Sequence, residues 1–291
     1  MAKHGFLVRG LLLSTLLIPQ AVQAAAYMRV VSWNLRHEGW PDELNYSGDA
    51  NQIWNQYGTT STSTNGCDLV FLQEVMYDTA AAGITQELNR VSGFPWAYAV
   101  TPAIGRSASY KERYAVVYRT DRVTLLSNTV YNDVGDVFER EPQIVKVRDR
   151  TTSADFTFIN WHAVFGTTAE RQVEVNAIPQ VFSSVQNSDP SDQDVILLGD
   201  CNTSATTSWW AGLIGLSPQV SYQVNDLTSI NTSGGYVSPY DHFWFQAAYV
   251  TEYSNSGRDY VANPLAFQTL GTGMSDHAPV WLRLYSSSDT D

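Results

Sequence analysis

The chain has 291 residues, of which 44% are hydrophobic, 12% aromatic and 16% charged. This composition excludes an intrinsically disordered protein, and the length suits one large domain or two small ones. The acidic residues outnumber Lys and Arg by 29 to 17, and the resulting net charge of −12 argues against recognition of nucleic acid through a broad basic surface.

The N-terminus is typical of a cleaved secretory signal. Basic residues precede an apolar run over residues 11–18, and the small-residue pattern before Ala24 suits a signal peptidase. Because the run is shorter than the ~20 residues that span a bilayer, we expect cleavage near Ala24 rather than a membrane anchor. The mature protein is then secreted, to the extracellular space or, in a Gram-negative source, to the periplasm, without stable membrane association.

Short apolar runs typical of β-strands follow, and they alternate with longer segments of helical periodicity. The predicted helices cover residues 79–91 and 168–186, and polar segments predict a loop at 59–66 and a tail at 286–291. Because no Pro- or Gly-rich linker divides the chain, we expect one compact α/β domain of about 260 residues. The predicted strands are 28–33, 69–72, 115–118, 144–147, 156–159, 195–198, 243–245 and 280–284.

Several of these strands are flanked by side chains that suit metal and phosphate chemistry. Continuous apolar runs indicate strands that are buried on both faces, and the ends of such strands are where α/β sheets place ligand-binding groups. We therefore expect these side chains to converge on one edge of the sheet. They are Asn34, Glu74, His162, Asp200, Asn202, Asp276 and His277.

These motifs resemble the endonuclease/exonuclease/phosphatase superfamily, in which an early strand ends in Asn and later segments carry Gln-Glu, Gly-Asp-x-Asn and Ser-Asp-His. Residues 105–114, 138–142 and 240–241 are further similar to the secreted deoxyribonuclease I family in order and spacing. The resemblance covers residues 28–284 and implies an α/β fold, a four-layer sandwich of two mixed β-sheets flanked by helices. The chain then divides into a signal peptide (1–24), a catalytic domain (27–285) and a polar tail (286–291).

The resemblance implies a metal-dependent phosphodiesterase site. Glu74 is expected to be the main ligand of Mg²⁺, with Asn34 beside it. Asp200, Asn202 and Asp276 are expected to hold the scissile phosphate or a second metal, and we group Asp276 with the metal ligands. Carboxylate and amide oxygens suit Mg²⁺, which keeps several waters and needs few protein ligands.

The resemblance also pairs His162 with Glu112 and His277 with Asp241. A carboxylate beside an imidazole fixes its tautomer and favours its charged form, so two such pairs can supply a base and an acid. We expect His277 to accept the proton of the attacking water and His162 to protonate the leaving oxygen, although the reverse assignment stays open. The residues expected to contact the DNA backbone or minor groove are Arg36, Tyr110 and Arg140.

The function expected from these residues is a secreted, divalent-metal-dependent endonuclease that hydrolyses DNA with little sequence specificity. Mg²⁺ is the expected cofactor, with Mn²⁺ as a substitute and Ca²⁺ as a further ion at Asp133 and Asp136. The chain is expected to be a monomer. Two alternatives stay open: a sphingomyelinase-like phospholipid phosphodiesterase, and a non-enzymatic binding module on the same fold. A lipid enzyme would need an exposed apolar element, for which the only candidate is the segment from Trp209, more typical of a buried helix.

Two further expectations concern residues near these motifs. Cys67 begins the strand that ends at Glu74, ~23 Å away at extended rise, whereas Cys201 adjoins Asp200, so we expect two free thiols. His37 and His242 are not assigned to the site.

With few lysines, DNA binding should be weak and salt-sensitive, so the net charge excludes tight, metal-free binding rather than DNA itself.

Overall fold

The computed structural model describes residues 1, 27–55 and 67–285. The expected signal peptide beyond Met1, the polar loop at 59–66 and the tail at 286–291 lie outside the described residues. No helix in the described ranges is both long and apolar enough to cross a membrane.

Two mixed sheets of six strands form the body of the protein. The first contains, in spatial order, β13 (Tyr253–Arg258), β14 (Val280–Tyr285), β1 (Tyr27–Glu38), β2 (Leu69–Val75), β4 (Arg113–Arg119) and β3 (Trp96–Val100). The second contains β5 (Val123–Val130), β6 (Gln143–Asp149), β7 (Asp155–Asn160), β8 (Val195–Asp200), β12 (Asp241–Gln246) and β9 (Val220–Gln223). A two-stranded ribbon pairs β10 (Ser229–Ile230) with β11 (Tyr236–Ser238).

Helices cover the outer faces of both sheets. They are α1 (Tyr46–Asn55), α2 (Asp78–Ser92), α3 (Thr168–Ser188) and the single turns α4 (Ala211–Ile214) and α5 (Pro264–Phe267), with a 3₁₀ turn at Ser208–Trp210. The longest helix, α3, begins with a capping box in which Thr167 and Glu170 satisfy each other's backbone N–H groups. Helix α2 ends at Gly93, which adopts a φ of 71°.

Three apolar clusters hold these layers together. Side chains of both sheets, including Phe71 and Phe158 with ring centroids 4.8 Å apart, form the central cluster. A second cluster packs Ile84 and Leu88 of α2 on the first sheet, and a third packs Phe182 of α3 on the second sheet. The predicted four-layer sandwich of two mixed sheets flanked by helices is therefore confirmed.

Every predicted strand and both predicted helices are present. The sequence pattern did not indicate α1. It also missed several strands, most of which are short or lie at the edge of a sheet, such as β13, whose residues Tyr253–Arg258 are largely polar. The segment from Trp209 is not an exposed apolar element, since Trp210 and Leu213 are fully buried. Cys67 and Cys201 are both buried and unpaired, which confirms the expected free thiols.

The sheet pairings bring the polar strand ends to one edge. Strands β1 and β2 run parallel, as do β7 and β8, so their carboxyl ends share that edge. Strand β12 runs antiparallel to β8 and starts there, with Asp241 directly opposite Asp200. Strand β14 runs antiparallel to β1, which places the preceding residue pair Asp276-His277 beside the same edge.

The first strand continues past Asn34, where we expected it to end, as far as Glu38. Its pairing with β2 becomes irregular after Asn34, and Arg36 and His37 adopt left-handed φ values of 45° and 61°. Glu74 and Asn202 are also left-handed, with φ values of 55° and 47°. A non-Gly residue in the left-handed region costs on the order of 1–3 kcal/mol, and such residues cluster at functional sites. The positions of these residues therefore indicate that this edge of the sandwich is the functional one.

Candidate active site

A cleft of about 630 Å³ opens at this edge. Asn34 and Asp241 lie behind its surface and are almost fully buried. The other expected site residues line it directly: Arg36, Glu74, Tyr110, Glu112, Arg140, His162, Asp200, Asn202, Asp276 and His277.

His162 follows β7 and is held by a buried carboxylate. Its Nδ1 lies 2.9 Å from Oε2 of Glu112, whose other oxygen accepts hydrogen bonds from Tyr110 (2.7 Å) and Arg140 (3.0 Å). Burial opposes the charged form, but His162 and Arg140 outweigh it and hold the pKa of Glu112 at about 2. Burial and Arg140 likewise lower the pKa of His162, yet Glu112 prevails and the net shift is upward.

His277 precedes β14 and has the equivalent arrangement. Its Nδ1 lies 2.8 Å from Oδ2 of Asp241, which is fully buried at the start of β12. Its backbone N–H donates to Ser275 Oγ (2.9 Å), and its carbonyl accepts from Trp33 Nε1 (2.7 Å). Burial would lower the pKa of His277, but Asp241 and Asp200 raise it well above the usual value.

Asp200 connects these two pairs. Its Oδ2 atom lies 3.6 Å from Nε2 of His162 and 3.6 Å from Nε2 of His277. Its Oδ1 accepts the backbone N–H of Asn202 at 2.9 Å, which fixes the carboxylate on the strand end. Two imidazoles with separate carboxylate partners therefore face one carboxylate oxygen at the floor of the cleft.

Asn34 joins Asp200 to Glu74. Its Nδ2 donates to Glu74 Oε1 (2.8 Å) and to Asp200 Oδ2 (3.0 Å). Its Oδ1 accepts the backbone N–H of Arg36 at 2.9 Å. The amide thus presents its donor to the two carboxylates, and its direct contribution here is to hold them side by side.

The residues present suit a hard divalent cation, because carboxylate oxygens from both sheets converge on the floor of the cleft. Glu74 is partly exposed to the cleft, and Asp276 lines it as well. Within the described residues, one group of three could offer ligand atoms within 4.8 Å of one another: Asp200, Asp241 and His277. This group differs from the expected set of Glu74, Asn34 and Asp276, although it lies in the same cleft.

The expected Ca²⁺ ligands lie elsewhere and already have partners. Asp133 Oδ2 accepts the backbone N–H of Phe138 at 2.8 Å, and Asp136 Oδ1 lies 3.4 Å from Nε of the exposed Arg106. Calcium binding at these two residues stays a prediction.

The two arginines of the cleft have internal partners. Arg36 forms a two-pronged ion pair with Glu43, with N–O distances of 2.9 and 3.0 Å. Arg140 is buried, and besides Glu112 it donates to the backbone carbonyls of His162 (3.3 Å) and Ala163 (2.9 Å). Both positive charges are therefore largely compensated within the protein.

His37 belongs to the cleft, although the sequence pattern did not assign it there. Its Nε2 lies 3.2 Å from Glu74 Oε2, and its backbone N–H donates to the same oxygen at 3.1 Å. The left-handed turn at Arg36 and His37 folds the chain back onto Glu74, and no spacing rule indicates such a turn. His242, by contrast, is buried with its ring nitrogens 2.9 and 3.0 Å from the carbonyls of Val224 and Thr203.

Comparison with known proteins connects this geometry to a family. No family model matches the chain. The deoxyribonuclease-1 of Canis lupus familiaris is 29% identical over 282 residues, which cover 90% of this chain and 93% of that protein. The deoxyribonuclease-1 of Gallus gallus is 30% identical over 206 residues, covering 67% of this chain and 68% of that protein.

Solved structures agree with this relationship at the level of the fold. An endonuclease/exonuclease/phosphatase family protein from Bacteroides thetaiotaomicron superposes with a TM-score of 0.61 and 16% identity, covering 89% of this chain and 97% of that one. The chain therefore belongs to the deoxyribonuclease I family and is an enzyme of the phosphodiesterase class.

Proposed function

We propose that the protein is a divalent-metal-dependent endonuclease that hydrolyses phosphodiester bonds of DNA with little sequence specificity. The observation that carries this proposal is the position of Asp200 Oδ2, 3.6 Å from the Nε2 atoms of both His162 and His277. Phosphodiester hydrolysis needs one group that takes a proton from water and another that gives a proton to the leaving oxygen. Two imidazoles at one point of a cleft can supply both.

The buried carboxylates orient the two imidazoles, and the following roles are proposed for them. His277, oriented by Asp241, accepts the proton of the attacking water at Nε2, and His162, oriented by Glu112, donates its Nε2 proton to the leaving oxygen. The raised pKa of His162 suits an acid, because it favours the protonated form of the ring. The raised pKa of His277 makes it a stronger base but requires a higher pH for it to be deprotonated.

Glu74 is the main proposed ligand of Mg²⁺, with Asp276 and Asn34 beside it and Mn²⁺ as a substitute ion. A cation held there would supply charge stabilisation for the phosphoryl oxygens and make a nearby water easier to deprotonate. Asn34 keeps the carboxylates of Glu74 and Asp200 close together, and Asn202 and Asp200 are proposed to lie beside the scissile phosphate.

The DNA contacts proposed from the cleft are few. Tyr110, Arg36 and Arg140 line it, but both arginines are ion-paired with acidic residues. Binding of the phosphate backbone then depends on the cation and on a small number of neutral groups, so affinity should be modest and salt-sensitive. DNA as the substrate is supported by the relatives named deoxyribonuclease-1.

The proposal extends to a secreted monomer, and its secretion is supported by the apolar run at residues 11–18. The experiment that tests the substrate class compares supercoiled plasmid, RNA and sphingomyelin vesicles, each with Mg²⁺ and with EDTA. We expect cleavage of the plasmid with Mg²⁺ and no cleavage of it with EDTA. Hydrolysis of sphingomyelin without cleavage of DNA would instead establish the phospholipid alternative.

A further inference from the structure

His37 is a third imidazole of the catalytic cleft, beside His162 and His277. Its Nε2 atom lies 3.2 Å from Oε2 of Glu74, the main proposed metal ligand. The same carboxylate oxygen accepts the backbone N–H of His37 at 3.1 Å. The ring and the main chain of one residue therefore both meet one oxygen of Glu74.

The ring of His37 is held in this position by the backbone and by its neighbours. Arg36 and His37 both have left-handed backbone, which turns the chain back towards Glu74. The indole of Trp40 stacks on the imidazole, with ring centroids 4.4 Å apart and planes inclined by 20°. Tyr110 meets the imidazole edge-on, at a centroid distance of 5.6 Å. Because packing already fixes the ring, little conformational freedom is lost when its nitrogen binds an ion.

The distance between the two side chains suits coordination of one ion by both. Ligand atoms about 2.1 Å from an ion lie about 3.0 Å apart at adjacent octahedral positions and about 3.4 Å apart in tetrahedral coordination. The 3.2 Å between Nε2 of His37 and Oε2 of Glu74 falls between these values. Oε1 of Glu74 accepts one hydrogen bond from Asn34 and Oε2 accepts one from the backbone of His37, so each oxygen keeps a lone pair for a cation.

The surroundings of this pair favour a cation and leave room for water. Asp276 lines the same cleft and adds a second carboxylate, and Glu43 compensates the charge of Arg36. The side chains of His37 and Glu74 are 32% and 13% exposed, so solvent reaches both. Two protein ligands are then sufficient, because waters can complete the coordination of a divalent ion.

We propose that His37 is a nitrogen ligand of the cation that Glu74 holds, and that it makes this site bind Co²⁺ and Zn²⁺ more tightly than Mg²⁺. The inference rests on the proposed function, because it takes Glu74 as the metal ligand, and it adds a residue that selects the ion. Imidazole nitrogen is a preferred ligand of the later first-row divalent ions, whereas Mg²⁺ prefers oxygen. The neutral ring binds through Nε2 and keeps its proton on Nδ1.

A second group of possible ligands lies in the same cleft and must be distinguished from this pair. Asp200, Asp241 and His277 can offer ligand atoms within 4.8 Å of one another. A transition-metal ion bound there would depend on His277 and not on His37. Single variants of the two histidines therefore locate the ion.

The test measures the dissociation constant of Co²⁺ by isothermal titration calorimetry without DNA, so the result does not depend on catalysis. Wild-type protein should bind Co²⁺ at concentrations well below those of Mg²⁺ that half-saturate plasmid nicking. His37→Ala should weaken Co²⁺ binding by at least the roughly tenfold that loss of an outer-shell partner costs, with a much smaller change in the Mg²⁺ requirement. His277→Ala should keep the Co²⁺ affinity that His37→Ala loses.

His37→Gln is the matched variant that separates a ligand from a hydrogen-bond donor. Its amide can still donate to Glu74 but offers no ring nitrogen, so we expect it to lose Co²⁺ affinity as His37→Ala does. Recovery of the affinity in His37→Gln would show that His37 only orients Glu74 and would overturn the ligand. If His37→Ala does not fold, His37→Gln decides alone, and wild-type Co²⁺ affinity in it overturns the proposal.

Two further outcomes are decisive. Loss of the tight Co²⁺ binding in His277→Ala, with none in His37→Ala, would place the ion at the second group and overturn the assignment of His37. A wild-type protein that leaves plasmid intact with Mg²⁺, but whose Co²⁺ binding depends on His37, would contradict the proposed function and support the metal site.

Discussion

The Nδ2 atom of Asn34 lies 3.0 Å from Oδ2 of Asp200, and this hydrogen bond joins β1 of the first sheet to β8 of the second. The same amide group also binds Glu74 at the end of β2. The two halves of the candidate site are carried by different sheets, so this contact fixes the position of one half relative to the other.

Asn34→Ala should therefore weaken metal use more than folding. Without the amide, the carboxylates of Glu74 and Asp200 lose a shared donor and their orientation, and supporting contacts of this kind are typically worth 10–100-fold in metal affinity or activity. The measurement is the nicking rate as a function of Mg²⁺ concentration, together with thermal unfolding.

A matched control is Asn160→Ala. Asn160 also connects the sheets through a buried amide, since its Oδ1 accepts from Gln73 Nε2 at 2.7 Å, but it does not line the cleft. We expect this variant to lose stability and to keep the wild-type Mg²⁺ dependence. If Asn34→Ala behaves in the same way as Asn160→Ala, Asn34 is a structural contact and not a positioning residue.

Much of this arrangement could be predicted from the sequence, because it depends on local patterns. Apolar runs that end in polar residues indicated the strands and the common edge, and the Asp200–Asp241 register follows once β8 and β12 pair. The role of His37 could not be predicted, since it depends on left-handed backbone at two consecutive residues. The ion pair of Arg36 with Glu43 depends likewise on how the chain turns after β1.

The pH dependence of cleavage should show whether both imidazoles exchange protons in the reaction. Activity should be bell-shaped in pH, because the base must be deprotonated and the acid protonated. Asp241 raises the pKa of His277, so Asp241→Asn should move the limb of the profile that depends on His277 to lower pH.

Glu112 raises the pKa of His162, so Glu112→Gln should move the limb of the profile that depends on His162 to lower pH. If neither variant moves a limb, these two imidazoles do not set the pH dependence of cleavage. A profile that stays flat across the neutral range would contradict both forms of the scheme, since neither imidazole would then exchange a proton in the rate-limiting step.

A buried acidic pair should make the fold less stable as the pH rises. Burial raises the pKa of Glu38 to about 8 and that of the fully buried Asp49 well above its usual value, and the charge of Glu38 adds to the shift of Asp49. The unfolded chain releases the Glu38 proton at about pH 4.3, whereas the folded protein keeps it until about pH 8. The free energy of unfolding should fall through that window as the pH rises.

In the wild-type protein, the free energy of unfolding should fall by on the order of 2–4 kcal/mol between pH 5 and pH 8. Glu38→Gln should reduce this fall. The measurement is denaturant unfolding at both pH values, with the exposed Asp226→Asn as the control. If wild type and Glu38→Gln lose the same stability between the two pH values, Glu38 does not hold the proton.

The two thiols should be unreactive until the protein unfolds. Cys67 and Cys201 are fully buried, and burial raises the pKa of both thiols well above the usual value, which disfavours the reactive thiolate. A thiol reagent should therefore label neither residue in the native protein and both residues in denaturant without reductant. Labelling that requires reductant would show a disulfide and contradict the arrangement of β2 and β8.

The most direct test of the central claim is the Mg²⁺-dependent nicking rate of supercoiled plasmid by the wild-type protein and by His162→Ala and His277→Ala. We expect wild-type nicking that EDTA abolishes, and a loss of about 10²–10⁴-fold in each variant, the range that general acid or base catalysis contributes. Either variant nicking DNA at the wild-type rate, while it remains folded by thermal unfolding, would contradict the assignment of the two imidazoles to proton transfer.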